Sequence, residues 1–298
     1  MSDEKVGKTT TSLAVEKRII PKRMNFFWAS HSISWMRLMT LKSFRFYHPD
    51  WEIILHRSEP IGKKSWVSSE KQDWEIYKGP DYTDQVDFLG IKTVEWKSPI
   101  SGLAPAHASD ICEWQLLSGV GGFYADMDIL FVGAIDYGLL RHFDVVYCLT
   151  EGYAAIGFFG STPENEFFGD VLRTATRDYK STRYQNTGAE AIYRMAGMPA
   201  PGWSKHHRPG DIAFRKFREG YADLKFTGLP DQTFYPYFYQ CVDQIFKFDR
   251  QLPKECIGIH WFGGGILGQE TNLIYTADNY RDYRCTYTSY AARIECST

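Results

Sequence analysis

Residues 119–132 read Gly119-Val120-Gly121-Gly122-Phe123-Tyr124-Ala125-Asp126-Met127-Asp128-Ile129-Leu130-Phe131-Val132, an apolar run broken by two carboxylates. The pattern predicts a strand from Phe123 to Val132. Residues two apart on a strand point the same way, so Asp126 and Asp128 can converge on one point. Two like charges in apolar surroundings each resist ionisation unless a cation neutralises them. A hard divalent ion, Mn²⁺ or Mg²⁺, meets that need, held by few carboxylates and completed by phosphate oxygens and water. Asp-x-Asp also arises by chance and can merely cap a strand, so its neighbours must carry weight.

Upstream, Pro105 to Ser118 has helical periodicity, with Ala108, Ile111, Trp114 and Leu117 as its buried stripe. Gly119, Gly121 and Gly122 end it. Asp110 and Glu113 lie three apart and share a face. Solvent is the default for Glu113. Asp110, read as first-turn, is favoured there by the helix dipole and is structural, functional or both.

Further back, Met24 to Trp28 reads as a buried strand and Ile33 to Tyr47 as a helix, with Trp35, Leu38, Leu41 and Phe44 recurring every third residue. Pro49 stops that helix, and Trp51 to Leu55 is a second strand. Strand, helix, strand in this order predicts an α/β fold with a mostly parallel sheet. Such sheets bind ligands beyond the carboxyl ends of their strands. Trp28 stands at one of those ends, as a core residue or as a platform for a base.

Downstream, Asp144 to Leu149 and Ala155 to Phe159 are strand candidates, and Pro163 to Tyr179 and Asn186 to Met198 helix candidates. Phe234 to Tyr239 is an irregular aromatic cluster. Cys256 to Trp261 forms a late strand running into Gly263-Gly264-Gly265. There His260 could complete a metal shell while the glycine loop closes over substrate. Residues 1–19, polar and rich in Ser, Thr and Lys, are predicted to be a disordered tail, and 20–298 one domain.

A formal net charge of −2 without a basic run disfavours a nucleic-acid partner, which needs cations along the phosphates. Lys205-His206-His207-Arg208 is only locally basic and reads first as a solvated loop. Six scattered cysteines without a CxxC pair argue against zinc and fit a reduced, cytoplasmic chain. No stretch approaches the roughly 20 apolar residues of a membrane helix, so a soluble protein is expected. An aromatic share of 16% suits sugar rings, although large cores use the same residues.

The chain resembles glycosyltransferase family 32 and the related large clostridial glucosylating toxins. The likeness lies in Ile20-Pro21-Lys22, Asn25-Phe26-Phe27-Trp28, Pro49-Asp50-Trp51-Glu52, Ala108-Ser109-Asp110 and Gly121 to Asp128, covering residues 20 to about 135. The resemblance implies a GT-A type, Rossmann-like sheet flanked by helices, with helical additions. It also implies a retaining transfer of a hexose from a nucleotide-sugar donor, a UDP-sugar, to an acceptor hydroxyl. Trp28 would stack on the base and Asp110 would hold hydroxyls of the transferred sugar. Asp126 would bind sugar or ribose and approach the metal, and Asp128 would be its main ligand. Tyr124 joins the donor-binding set. Asn186-Thr187-Gly188 is similar to the segment near the reacting carbon, which makes Asn186 a catalytic candidate. Phe234-Tyr235-Pro236 and Ile259-His260-Trp261 are later landmarks. The family often has Arg three residues after the helix Asp; here that position is Glu113. A metal-dependent sugar-nucleotide hydrolase or pyrophosphatase and a non-catalytic carbohydrate-binding protein are the alternatives.

Overall fold

Alternate residues of the first strand face different helical layers. The structure, a computed structural model, describes residues 18–29, 32–58, 77–199 and 208–296. Of the predicted tail, residues 1–17 lie outside the described ones; Ile20 is buried and donates its amide to the Arg141 carbonyl. Lys205, His206 and His207 also lie outside them.

The elements run β1 (Arg23–Trp28), α1 (Trp35–Tyr47), β2 (Glu52–Arg57), β3 (Lys92–Glu95), α2 (Pro105–Ser118), β4 (Gly122–Ala125), β5 (Ile129–Phe131), α3 (Tyr137–Leu140), β6 (Val145–Thr150) and β7 (Tyr153–Ser161). They continue with α4 (Glu166–Arg177), α5 (Ala189–Met195), α6 (Pro209–Gly220), β8 (Phe226–Leu229), α7 (Asp243–Lys247), β9 (Gly258–His260), α8 (Ile266–Ile274) and α9 (Thr286–Glu295). A seven-stranded sheet has the order β3-β2-β1-β4-β7-β6-β8, and β5 with β9 forms a separate ribbon. The large sheet is mostly parallel: only β7 runs against its two neighbours. The expected α/β sheet flanked by helices is what forms.

Met24, Phe26 and Trp28 pack into one hydrophobic cluster with α1 and α9, while Phe27 joins the opposite one with α2 and α4. Phe123 and Ala125 of β4 likewise face the first cluster, and Tyr124 the second. A strand buried on both faces needs a near-continuous apolar run; in β1 the buried exception is Asn25, whose amide donates to the Phe123 carbonyl at 3.0 Å. Ser34 caps α1 by accepting from the Arg37 amide, which explains why that helix starts two residues later than its periodicity suggests.

Two buried histidines brace this frame. His48 Nδ1 lies 3.1 Å from the Phe44 carbonyl, and its Nε2 accepts from the Ile135 amide at 2.8 Å. His56 Nε2 meets Asn25 Oδ1 at 3.1 Å. Burial pushes both down to about 4, helped at His56 by the charges of Arg23 and Lys92. The unfolded chain takes up these protons near 6.5, so the stabilisation is complete above that pH and is lost as pH falls toward 4. Over that range each site changes the stability by on the order of 3 kcal/mol. Urea midpoints should therefore fall between pH 6.5 and 4, and a His48→Gln/His56→Gln variant should lose most of that dependence. The same slope in wild type and variant would place the effect elsewhere.

Candidate active site

The strand expected from Phe123 to Val132 is two strands. β4 ends at Ala125, Asp126-Met127-Asp128 turns out of the large sheet, and β5 starts the ribbon at Ile129. The acids therefore do not converge through strand alternation. They converge because each peptide of the turn is tied to a different element. The Asp126 amide donates to the Gly157 carbonyl of β7 at 3.0 Å. The Met127 carbonyl accepts from Thr40 Oγ1 of α1 at 3.0 Å. The Asp128 carbonyl accepts from the Trp261 amide at 2.9 Å.

Opposite, β9 pairs antiparallel with β5 and sets His260 across from Ile129. His260 Nε2 lies 3.3 Å from Asp128 Oδ1 and 3.9 Å from Asp126 Oδ2. One ligand atom from each of the three residues lies within 4.8 Å of the others. Asp128 Oδ2 accepts from the Gly263 amide at 2.7 Å, leaving Oδ1 toward the histidine. Burial raises the Asp126 carboxyl, against the pull of the imidazole. Burial alone would lower His260, but Asp128 and then Asp126 outweigh it, so the ring holds a proton more firmly than usual. Two oxygens, one imidazole nitrogen and a local surplus of negative charge fit a divalent cation.

Asp110 sits in the second turn of α2, past the reach expected of a first-turn acid, and accepts from Thr187 Oγ1 at 2.7 Å. Burial raises its carboxyl to about 8, with the Asp126 charge adding to the effect. It is largely protonated at neutral pH. Glu113 does not face solvent: it is 1% exposed, and burial followed by the Asp126 and Asp110 charges drives it well up. Its Oε1 has no hydrogen-bond partner among the described residues. A buried acid that resists ionisation thus stands where the resembling family often has a cation.

Tyr124 and Asn186 sit behind the cavity wall. The Tyr124 hydroxyl pairs with Ser109 Oγ at 2.8 Å, and the residue is fully buried. Asn186 precedes α5 and accepts through Oδ1 from the Lys180 amide at 2.6 Å. Neither lines the cavity, whereas Ser109 and Gln185 beside them do.

The cation of the site comes from α1. Arg37, 4% exposed, places its guanidinium 4.4 Å over the Trp28 ring and 4.8 Å over the Trp261 ring. Burial lowers its pKa, opposed by the Asp128 and then the Asp126 charge. An arginine amid Trp35, Met36, Leu38 and Met39 is the signal in the sequence that would have found it. Trp28 is consequently covered on one face, and its Nε1 donates to the Ser32 carbonyl at 2.9 Å.

Trp28, Arg37, Asp110, Asp126, Asp128 and His260 all border one cavity of about 580 Å³. Gly157 forms part of its floor: a Cβ there would lie 2.7 Å from Tyr235 Oη and 3.1 Å from both Asp126 Oδ2 and His260 Cδ2. Phe262 borders it with a φ of 51°, a strained conformation for an aromatic residue. Gly264 and Gly265 lead directly into α8, which has no side-chain cap. All six cysteines are free, and among the described residues no helix is long and apolar enough to cross a membrane.

No protein-family model and no curated protein sequence matches the chain. Among solved structures it is similar to the PaToxG glycosyltransferase (TM-score 0.45, 15% identity, 66% of this chain and 86% of that one). An active-site mutant of LgtC follows at TM-score 0.42 and 9% identity, over 92% of this chain and 95% of that one. The apo form of the glycosyltransferase GlyE of Streptococcus pneumoniae TIGR4 has TM-score 0.43 and 10% identity, over 93% of this chain and 64% of that one. Likeness this slight assigns no activity.

Proposed function

We propose that this chain is a GT-A type glycosyltransferase, allied to family 32, that moves a hexose from a UDP-sugar to an acceptor hydroxyl with retention of configuration. The observation that carries the reading is the convergence of Asp126, Asp128 and His260 in a cavity that also exposes Trp28 and Asp110. These three would hold the cation, and the imidazole favours Mn²⁺ over the more strictly oxygen-seeking Mg²⁺. Such an ion supplies Lewis-acid stabilisation of the departing nucleoside diphosphate, worth several kcal/mol.

The chain's own groups do the rest. Trp28, fixed from behind by Arg37, offers its remaining face and edge to the base. Arg37 adds positive charge near the place where phosphate charge would gather. Asp110, protonated at neutral pH, can both donate to and accept from sugar hydroxyls, and Thr187 holds its orientation. The uncapped first turn of α8 at the cavity edge also favours an anionic ligand.

A two-metal hydrolase needs a second ligand cluster. Among the described residues only one such cluster occurs. A carbohydrate-binding protein has no use for buried acids that resist ionisation. Incubation with Mn²⁺ and a panel of nucleotide sugars should release UDP from a UDP-hexose, and EDTA should stop it. Release of sugar phosphate in place of UDP would overturn the proposal in favour of a pyrophosphatase.

A further inference from the structure

The order of strands lays out the cavity from one side to the other. Trp28 ends β1, Asp126 follows β4, and beyond β4 come β7 and β6, joined by a turn whose Glu151 also borders the cavity. If the donor spans β1 to β4, the space over the β6–β7 turn is left for the second substrate.

Glu151 is an unexpected residue for its position. Thr150 pairs with Tyr153, so Glu151-Gly152 is a two-residue hairpin connection, with φ of 50° and 79°. Such turns favour Asn-Gly, because both central residues need positive φ. Gly152 meets the demand, and a Cβ there would lie 2.7 Å from Arg208 Cγ and 3.0 Å from its Cα, so a larger residue would have to displace Arg208. Glu151 holds the conformation against its preference. The turn cannot relax, because the Gly152 carbonyl accepts from the Gly210 amide at 2.8 Å, at the start of α6. Strain of this kind persists where the surroundings over-determine it, and it gathers at ligand sites. The Glu151 carboxylate has no hydrogen-bond or ion-pair partner among the described residues. Glu190, across the cavity, is by contrast occupied by Arg183 at 2.7 Å and Arg194 at 3.7 Å. Tyr153 and Tyr193 also border the cavity.

We propose that Glu151 is the acceptor-binding residue, and that the acceptor is a sugar whose adjacent hydroxyls donate to its carboxylate. The inference rests on the transferase reading and deepens it. A carboxylate accepts two hydroxyls at once and binds each more strongly than a neutral amide does.

The test uses methyl glycosides of the common hexoses, with UDP-hexose and Mn²⁺ for turnover, and with UDP and Mg²⁺ for binding by saturation-transfer NMR. Glu151→Gln should raise the acceptor KM about tenfold and leave the donor KM within twofold. Glu151→Asn should relieve the turn and raise Tm by about 2 °C while still weakening the glycosides. An unchanged acceptor KM, or equal losses for donor and acceptor, would overturn the role of Glu151. So would a wild-type protein that binds and glycosylates no glycoside while releasing UDP into water. If wild type releases no UDP from any donor, the transferase reading itself fails, and this assignment with it.

Discussion

Replacing Asp126 and Asp128 together by alanine should lower UDP release at least about a thousandfold, the loss of roughly 4 kcal/mol of leaving-group stabilisation. The same variant should lose the rise in Tm that Mn²⁺ gives the wild type. At a hundredfold excess over its dissociation constant, an ion bound only by the folded state stabilises by about 2.7 kcal/mol, several degrees for a chain of this size. Fold damage is separable from loss of function. Asp128→Asn retains an oxygen for the Gly263 amide, which Asp128 now satisfies at 2.7 Å, yet removes the charge. It should keep the metal-free Tm close to wild type and still lose both turnover and the response to Mn²⁺. Turnover within a few-fold of wild type in the double variant would end the assignment of these acids.

The second large effect is expected from a single methyl group. Gly157→Ala would bring a Cβ within 2.7 Å of Tyr235 Oη, closer than real contacts allow. Tyr235 is 3% exposed and has nowhere to go, so the displacement passes to Asp126 and His260 on either side. A misplacement approaching 1 Å costs about a hundredfold in rate. Gly160→Ala, three residues along β7, is the control. Its Cβ would press on Phe123 and Val146 in the core, so it should lower Tm without abolishing the Mn²⁺ response. If Gly157→Ala turned over like wild type, the cavity floor would be softer than its packing implies.

The first half of this architecture was readable because its strands are buried on both faces. β1, α1, β2, α2 and β4 announce themselves through short apolar runs and a three-residue stripe. The short edge strands β3 and β8 carry no such signal: Lys92–Glu95 has no buried residue, and neither has Phe226–Leu229. The acid pair was readable as a pair but not as a turn. Nothing local says that the apolar run after Asp128 leaves one sheet for another, because its partner β9 lies far along the chain. Glu113 illustrates a different limit. Its helix is enclosed on both flanks by β1, β4 and α4, and periodicity cannot tell a second buried face from a wet one. Asn186 was placed by motif, whereas the direction of its side chain depends on the Lys180 amide. His260 was legible from its position before three glycines, and Arg37 only as an isolated charge in an apolar helix.

The change of sheet between Ala125 and Ile129 bears on how the molecule is held together. Asp126 is anchored to the large sheet, while Asp128 and His260 ride on the ribbon, and the contact of Asp128 with Gly263 already spans 135 positions of chain. An ion seated there would act as a rivet between two sheets that already share one hydrophobic cluster. Because the ligands come from positions so far apart, the ion binds only when both pieces are in place, and it favours that arrangement by mass action. A cation site in this place is then also a clasp, joining the last strand, β9, to the half of the chain that carries β1 and β4.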